Sequence, residues 1–224
     1  MFPKQTIRFL KQLSANNNRE WFAENKQRYE DEVRTPALQF IEAMAPALTQ
    51  VSPYIEASSK KVGGSLMRVY RDTRFGKDKT PYKTNIGINF RHVRAKDVHS
   101  PGYYLHIQPG EVFFGAGIWQ PDSPTLLAIR TLITEHPKEW KAMKKKVLRV
   151  TEFELTGSSL KRAPKGFDPE HELIEDLRRK DFIAVCKLPV SAIHDKDFNK
   201  NVKRLIKQSA PLMAFICEAN DLLF

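Results

Sequence analysis

Between residues 83 and 117 the apolar period of this chain falls from the helical value to two, while the stretches on either side keep the helical one. In Lys83–Arg91, Ile86, Ile88 and Phe90 alternate with Lys83, Asn85, Asn89 and Arg91. Successive side chains of a strand point to opposite faces, so this stretch predicts a strand with one apolar and one polar side. Tyr103 to Gln108 repeats the pattern, with Leu105 and Ile107 opposite Tyr104, His106 and Gln108. Pro109-Gly110-Glu111 reads as a hairpin turn into a strand from Val112 to Ala116. Leu66 to Arg71 is a fourth strand candidate. The prediction is an antiparallel meander in the order 66–71, 83–91, 103–108, 112–117.

Helical periodicity surrounds this meander. Residues 4–14 place Ile7, Leu10 and Leu13 on one face. The run Asn16-Asn17-Asn18 ends that helix and caps a second one, which passes through Trp21, Phe22, Tyr29 and Val33. The apolar pattern continues from Leu38 to Leu48, with Pro36 and Pro46 expected as breaks or kinks. Ser123-Pro124 predicts a cap and first helical residue for a helix whose apolar face is Leu126, Leu127, Ile129 and Ile133. A further helix follows His136-Pro137 through Trp140, Met143 and Val147. Residues 150–155 and 182–188 are short strand candidates, and Thr156–Phe167 reads as a loop. Asp168-Pro169 is expected to open a helix to Arg179, and the last helix to span Phe198 to Leu223 with a kink at Pro211.

With 224 residues, 41% of them hydrophobic, and no linker or repeat, the reading is one α+β domain over residues 1–224. Its sheet is mostly antiparallel, a central meander flanked by N- and C-terminal helices. The apolar runs are a few residues long, against the roughly 20 needed for a membrane span. The first residues lack a secretory core. Cys186 and Cys217 have no CxxC spacing and read as reduced and buried. The expectation is a cytoplasmic protein with no membrane partner; nothing in the sequence indicates an oligomeric state.

Charge supplies the functional signal. Between residues 61 and 100, Lys and Arg outnumber Asp and Glu 10 to 3, which is +7 of the chain's net +11. Concentrated positive charge attracts phosphates and other anions. Arg68, Arg71, Arg74, Lys79 and Lys83 are the candidate anion ligands, with Tyr70 and Tyr82 beside them. Asp72 and Asp78 either pair with these bases or orient them. Local pairing within a solvated hairpin carries equal weight. The segment is no Walker A loop, because Gly76-Lys77 lacks both the upstream glycine and a following Ser or Thr.

The polar side of the sheet would display Lys83, Asn85, Asn89, Arg91, Tyr104, His106 and Gln108. Left open, it suits a single strand held by charge and stacking. The many helices make cover by helices the favoured expectation, with a pocket floored by Arg68, Tyr70 and His106 compatible with either arrangement. No HxxxH, HxH or GxSxG spacing occurs, so neither a metal site nor a cofactor is implied. Lys144-Lys145-Lys146 reads as a solvated helix face. Trp119, after Gly115-Ala116-Gly117, is a candidate cleft wall beside the hairpin.

Four stretches together resemble a known family: Asn16 to Phe22 with Tyr29, the run RVYRDTRFGKDKTPYKTNIG, the hairpin PGYYLHIQPGEVFFGAGIW, and the next helix with Arg130. It is the conserved uncharacterised family of bacteria, fungi and plants classed as domain of unknown function 2461. The resemblance implies a single intracellular α+β domain and brings no activity with it. Its central positions fall on Arg68, Arg71, Asp72, Arg74, Asp78, Lys79, Tyr82 and Lys83. Gly76 stands where serine is expected in much of the family, so no hydroxyl role carries over there.

Three functions compete. The first is an anion-binding module contacting nucleic acid or a phosphorylated ligand through residues 68–83. The second is an enzyme on an anionic, phosphorylated small substrate, with Asp72 or His106 as acid or base and Arg68, Arg71 and Arg74 as clamps; it requires those groups to converge in one concave site. The third is a domain that docks acidic protein partners.

Overall fold

The computed structural model describes residues 1–74, 76–94, 99–148 and 152–224. Its centre is a six-stranded sheet formed by β1 (Ile55–Glu56), β2 (Ile86–His92), β3 (Gly102–Gln108), β4 (Glu111–Ile118), β5 (Glu154–Thr156) and β6 (Phe182–Leu188). The spatial order is β1-β2-β3-β4-β6-β5, and every pairing is antiparallel. The hairpin β3–β4 turns at Pro109-Gly110, where Gly110 takes φ 91°, a value that favours glycine.

One sheet face carries Ile86, Ile88 and Phe90 of β2, Leu105 and Ile107 of β3, Phe114 and Ala116 of β4, and Phe182 and Ala184 of β6, all buried. Against it pack α4 (Thr35–Val51) and α8 (Phe198–Ala219), with α5 (Ser123–Glu135) and α6 (Pro137–Leu148) packed on α8. Phe40 of α4 lies 6.5 Å from Phe90 and 5.7 Å from Phe198, joining both helices to the sheet. Trp140 of α6 meets Phe182 edge-on at 5.9 Å. These helices therefore all serve the apolar face. The expected helical cover of the polar face is overturned, because the apolar face is the one that needs burial.

The N-terminal helices are α1 (Lys4–Ala15), α2 (Arg19–Glu24) and α3 (Lys26–Tyr29), the last running through a π-helical turn at Glu30–Arg34 straight into α4. Asn18 caps α2 by accepting from the Trp21 backbone N–H at 2.8 Å. Pro36 does not break the chain as expected. It sits in the first turn of α4, and the π turn sends the Thr35 N–H to the Glu30 carbonyl. The Glu32 carbonyl, which Pro36 has no N–H to reach, accepts instead from the buried Thr6 hydroxyl at 2.6 Å.

Other expectations are corrected. Leu66–Arg71 is extended and does run beside β2, but it makes only the bridges Leu66↔Ile88 and Tyr70↔Tyr82. Four steps on one side span six on the other, and the surplus is taken up by a bend at Thr84-Asn85, so β2 begins at Ile86 and not at Lys83. The two-residue β1 shares this same edge. Asp122, not Ser123, caps α5, accepting from the Thr125 N–H at 2.9 Å. Leu127 faces outward at 54% exposure, and Arg130 is buried in its stead. The helix expected over 168–179 shrinks to α7 (Ile174–Leu177) after a run of turns, and α8 stops at Ala219. Of the strand expected over 150–155, residues 150 and 151 lie outside the described residues; β5 occupies 154–156. Among the described residues no helix is long and apolar enough to cross a membrane. Both cysteines are free and buried, and burial pushes the Cys186 thiol up to about 11.

Candidate functional site

The basic segment is held by backbone pairing. The Lys83 N–H donates to the Val69 carbonyl at 2.7 Å and the Arg71 N–H to the Pro81 carbonyl at 2.9 Å. These bonds set Arg68, Arg71 and Lys83 around one short ladder. Tyr82 anchors it: its ring stacks on Phe22 at 4.0 Å, and its backbone N–H and carbonyl both pair with the Asn17 side chain, at 3.1 and 2.9 Å. Tyr70 leans on Tyr82 at 5.6 Å but is 55% exposed. Tyr82 is thus structural, and Tyr70 is an aromatic surface beside the cations.

Beyond the ladder the charges pair locally. Asp72 accepts from Arg74 Nε at 3.0 Å and Nη2 at 2.7 Å, and from the Arg74 backbone N–H at 3.2 Å. These hydrogen bonds hold its carboxyl well below the usual carboxylate range. Asp78 accepts from the Thr80 backbone N–H at 2.9 Å and hydroxyl at 2.7 Å, and it ion-pairs with Arg71. Together these lower its pKa, Thr80 first and Arg71 after. Lys79 donates to the Thr73 carbonyl at 2.7 Å. Residue 75 of this loop lies outside the described residues. The acids therefore tie down the loop, and Asp72, exposed and paired, is poorly placed for acid–base work.

On the ladder Arg71 is paired with Asp78, whereas Arg68 and Lys83 make no ion pair among the described residues. Lys83 is half-buried, and its pKa is lowered first by desolvation and then by repulsion from Arg68 and Arg71. No acid contributes to that shift. Two guanidiniums beside a partly dehydrated ammonium form a site that an anion would relieve.

His106 lies elsewhere, in a cavity of about 540 Å³ on the open sheet face, lined by strands and loops and by no helix residue. Its Nδ1 is 3.2 Å from the Tyr104 hydroxyl, its Nε2 is 3.2 Å from Gln108 Oε1, and its ring stacks on Phe113 at 4.8 Å. Burial pushes Tyr104 up to about 12. Trp119 lines this cavity, as its place after Gly117 suggests. Arg68, Tyr70, Arg71, Asp72 and Arg74 do not line it. The expected floor of Arg68, Tyr70 and His106 is thus corrected: only His106 is there. His106 therefore does not converge with the arginines that the enzyme reading assigns to it, while Asp72 does meet Arg74.

A second basic surface escaped the sequence reading. A groove of about 1120 Å³ along α8 is lined by Lys146, Lys196, Lys200, Lys203, Arg204 and Lys207 over a floor that includes Pro211 and Phe224. Arg204 pairs with Glu152 at 2.6 Å, whereas the five lysines make no ion pair among the described residues. Lysines at 196, 200, 203 and 207 recur at helical steps with Asp197 as the sole acid between them. That stripe was legible, but the stronger apolar period of the same helix masked it. Lys144, by contrast, is partly buried and paired: it donates to the buried Asp176 carboxylate at 2.7 Å, which also accepts from Trp140 Nε1 at 2.9 Å. Among the described residues no group of His, Cys, Asp and Glu is arranged to hold a metal ion.

Compared with known proteins, the chain matches a family described as Conserved hypothetical protein (DUF2461) over residues 5–215. No curated protein and no solved structure matches it.

Proposed function

The chain belongs to the DUF2461 family of conserved hypothetical proteins, and from that premise we propose that it binds phosphate-type anions at the cluster of Arg68, Arg71 and Lys83. The observation that carries this reading is the electrostatic surrounding of Lys83: half-buried, with Arg68 and Arg71 as its charged neighbours. A phosphate offers several acceptor oxygens to two guanidiniums and an ammonium at once. The arginine–aspartate pairs of the loop fix the approach to this cluster and leave Arg68 and Lys83 without an ion pair among the described residues.

The favoured ligand is a nucleic acid backbone. A second basic surface, along α8, adds five lysines without an acid partner, more charge than a single small phosphate engages. Exposed Tyr70 offers a base a stacking surface beside the cluster.

Fluorescence anisotropy with labelled single-stranded and duplex DNA and RNA across a salt series tests this. Wild type is expected to bind with steep salt dependence. Arg68→Ala with Lys83→Ala should weaken binding for all sequences and flatten the log–log salt slope by about 2, one per lost phosphate contact. Lys200→Glu with Lys203→Glu reports the share of α8. Calorimetry with pyrophosphate forms the other arm: binding of pyrophosphate without nucleic acid assigns a small phosphorylated ligand. Absence of both, or binding unchanged in the Arg68/Lys83 variant, overturns the assignment.

A further inference from the structure

We propose that the cavity on the open sheet face is a binding site for a small planar aromatic molecule carrying an anionic group. The cavity shares no residue with the Arg68–Arg71–Lys83 cluster, so either can fail alone.

Its floor is built by glycine. Gly102 and Gly117 face each other across β3 and β4, and Gly115 faces Tyr104. Two of these glycines have backbone reasons. A Cβ on Gly102 would lie 2.7 Å from the Phe90 carbonyl oxygen, and one on Gly117, at φ 132°, would lie 2.0 Å from that of Phe182. Gly115 has neither reason. Its φ is not positive, and a Cβ there would meet the Tyr104 carbonyl oxygen and Val185 Cγ2 at an ordinary 3.9 Å. A mid-strand glycine costs stability and marks a place where another body approaches the backbone. Here the space above Gly115 is the cavity.

The walls and charge specify the occupant. Tyr104, Phe113 and Trp119 present aromatic surface, and about 540 Å³ lies within the roughly 300–1,000 Å³ of small-molecule sites. His106, Phe113 and Lys187 lie side by side across β3, β4 and β6. Lys187 makes no ion pair among the described residues, so it is the complement for an anionic group at that end. Glu111, the carboxylate of the lining, is 3.9 Å from His106 Nε2.

The test uses anilinonaphthalene sulfonate, an aromatic anion with a planar naphthalene ring, followed by its own fluorescence and by the quenching of tryptophan emission that Trp119→Phe should abolish. Wild type is expected to bind one equivalent saturably. Gly115→Val should weaken binding at least about tenfold by occupying the floor, and Lys187→Ala about two- to fivefold. Gly115→Ala, for whose methyl the structure has room, gives a graded loss should the valine variant fail to fold. Nucleic acid and pyrophosphate binding should be unchanged throughout. No saturable binding to wild type, equal binding to folded Gly115→Ala and Lys187→Ala, or a signal that tracks dimerisation in sedimentation overturns the proposal.

Discussion

Asp181 shows how a single residue organises distant chain. It is buried, and its carboxylate accepts from the Gln120 N–H at 2.8 Å and from the Ser158 N–H and hydroxyl, both at 2.9 Å. Burial alone would raise its pKa, but these donors and nearby Lys180 outweigh it, and the pKa falls. A depressed folded-state pKa stabilises the protein fully above the unfolded value of about 3.9 and loses that contribution as the pH falls through the folded value. Asp181→Asn should therefore cost about 1–3 kcal/mol in denaturant melts at pH 7, and the difference from wild type should shrink below about pH 4. Equal stability at pH 7 would remove this role. Nothing near Asp181 in sequence announced it, because its partners are 61 and 23 residues away. Local signals fared better: the charge around Lys83 was visible as a count, although the pairing of Arg71 with Asp78 needed the turn geometry to be seen.

The elements were legible where period and burial agreed. In β2 and β3 apolar and polar residues alternate, which reveals the buried face directly, whereas β4 is marked by the hairpin turn before it and is buried on both faces from Phe114 to Ile118. The segment 66–71 makes only bridges, since register is decided by the bend in its partner. Proline misled at Pro36. A proline at a helical position predicts a break, but a neighbouring helix supplies the hydroxyl that satisfies the freed carbonyl. That device is testable. Thr6→Val should leave the Glu32 carbonyl unpaired and destabilise by about 1–3 kcal/mol, and Pro36→Ala, which restores an N–H, should recover part of the loss in a double-mutant cycle. Additive effects of the two substitutions would separate Thr6 from Pro36. The α8 stripe teaches the converse: a helix has two faces, and the lysine face went unread beside the apolar one.

On the scale of the whole molecule, the arrangement of layers decides which surfaces are left for function. The helices α4, α5, α6 and α8 are spent on one sheet face, so the other keeps a cavity, and the sheet edge carries the basic ladder. The fold class was readable from sequence because it needs only element types and their order. The separation of His106 from the arginines was not, since it depends on which strand pairs with which and on one bend. The same geometry gives the ladder its chemistry: Arg68 and Arg71 repel the half-buried Lys83, Arg71 alone of the three is ion-paired among the described residues, and a bound anion would relieve that repulsion. The most direct measurement is the ionisation of Lys83 by NMR titration of its side-chain amine, with and without pyrophosphate. The account predicts a pKa below that of the exposed lysines in the free protein, and an upward shift when pyrophosphate binds, with weaker binding as the pH rises through the free value. A Lys83 that titrates with the exposed lysines, unmoved by pyrophosphate, would contradict it.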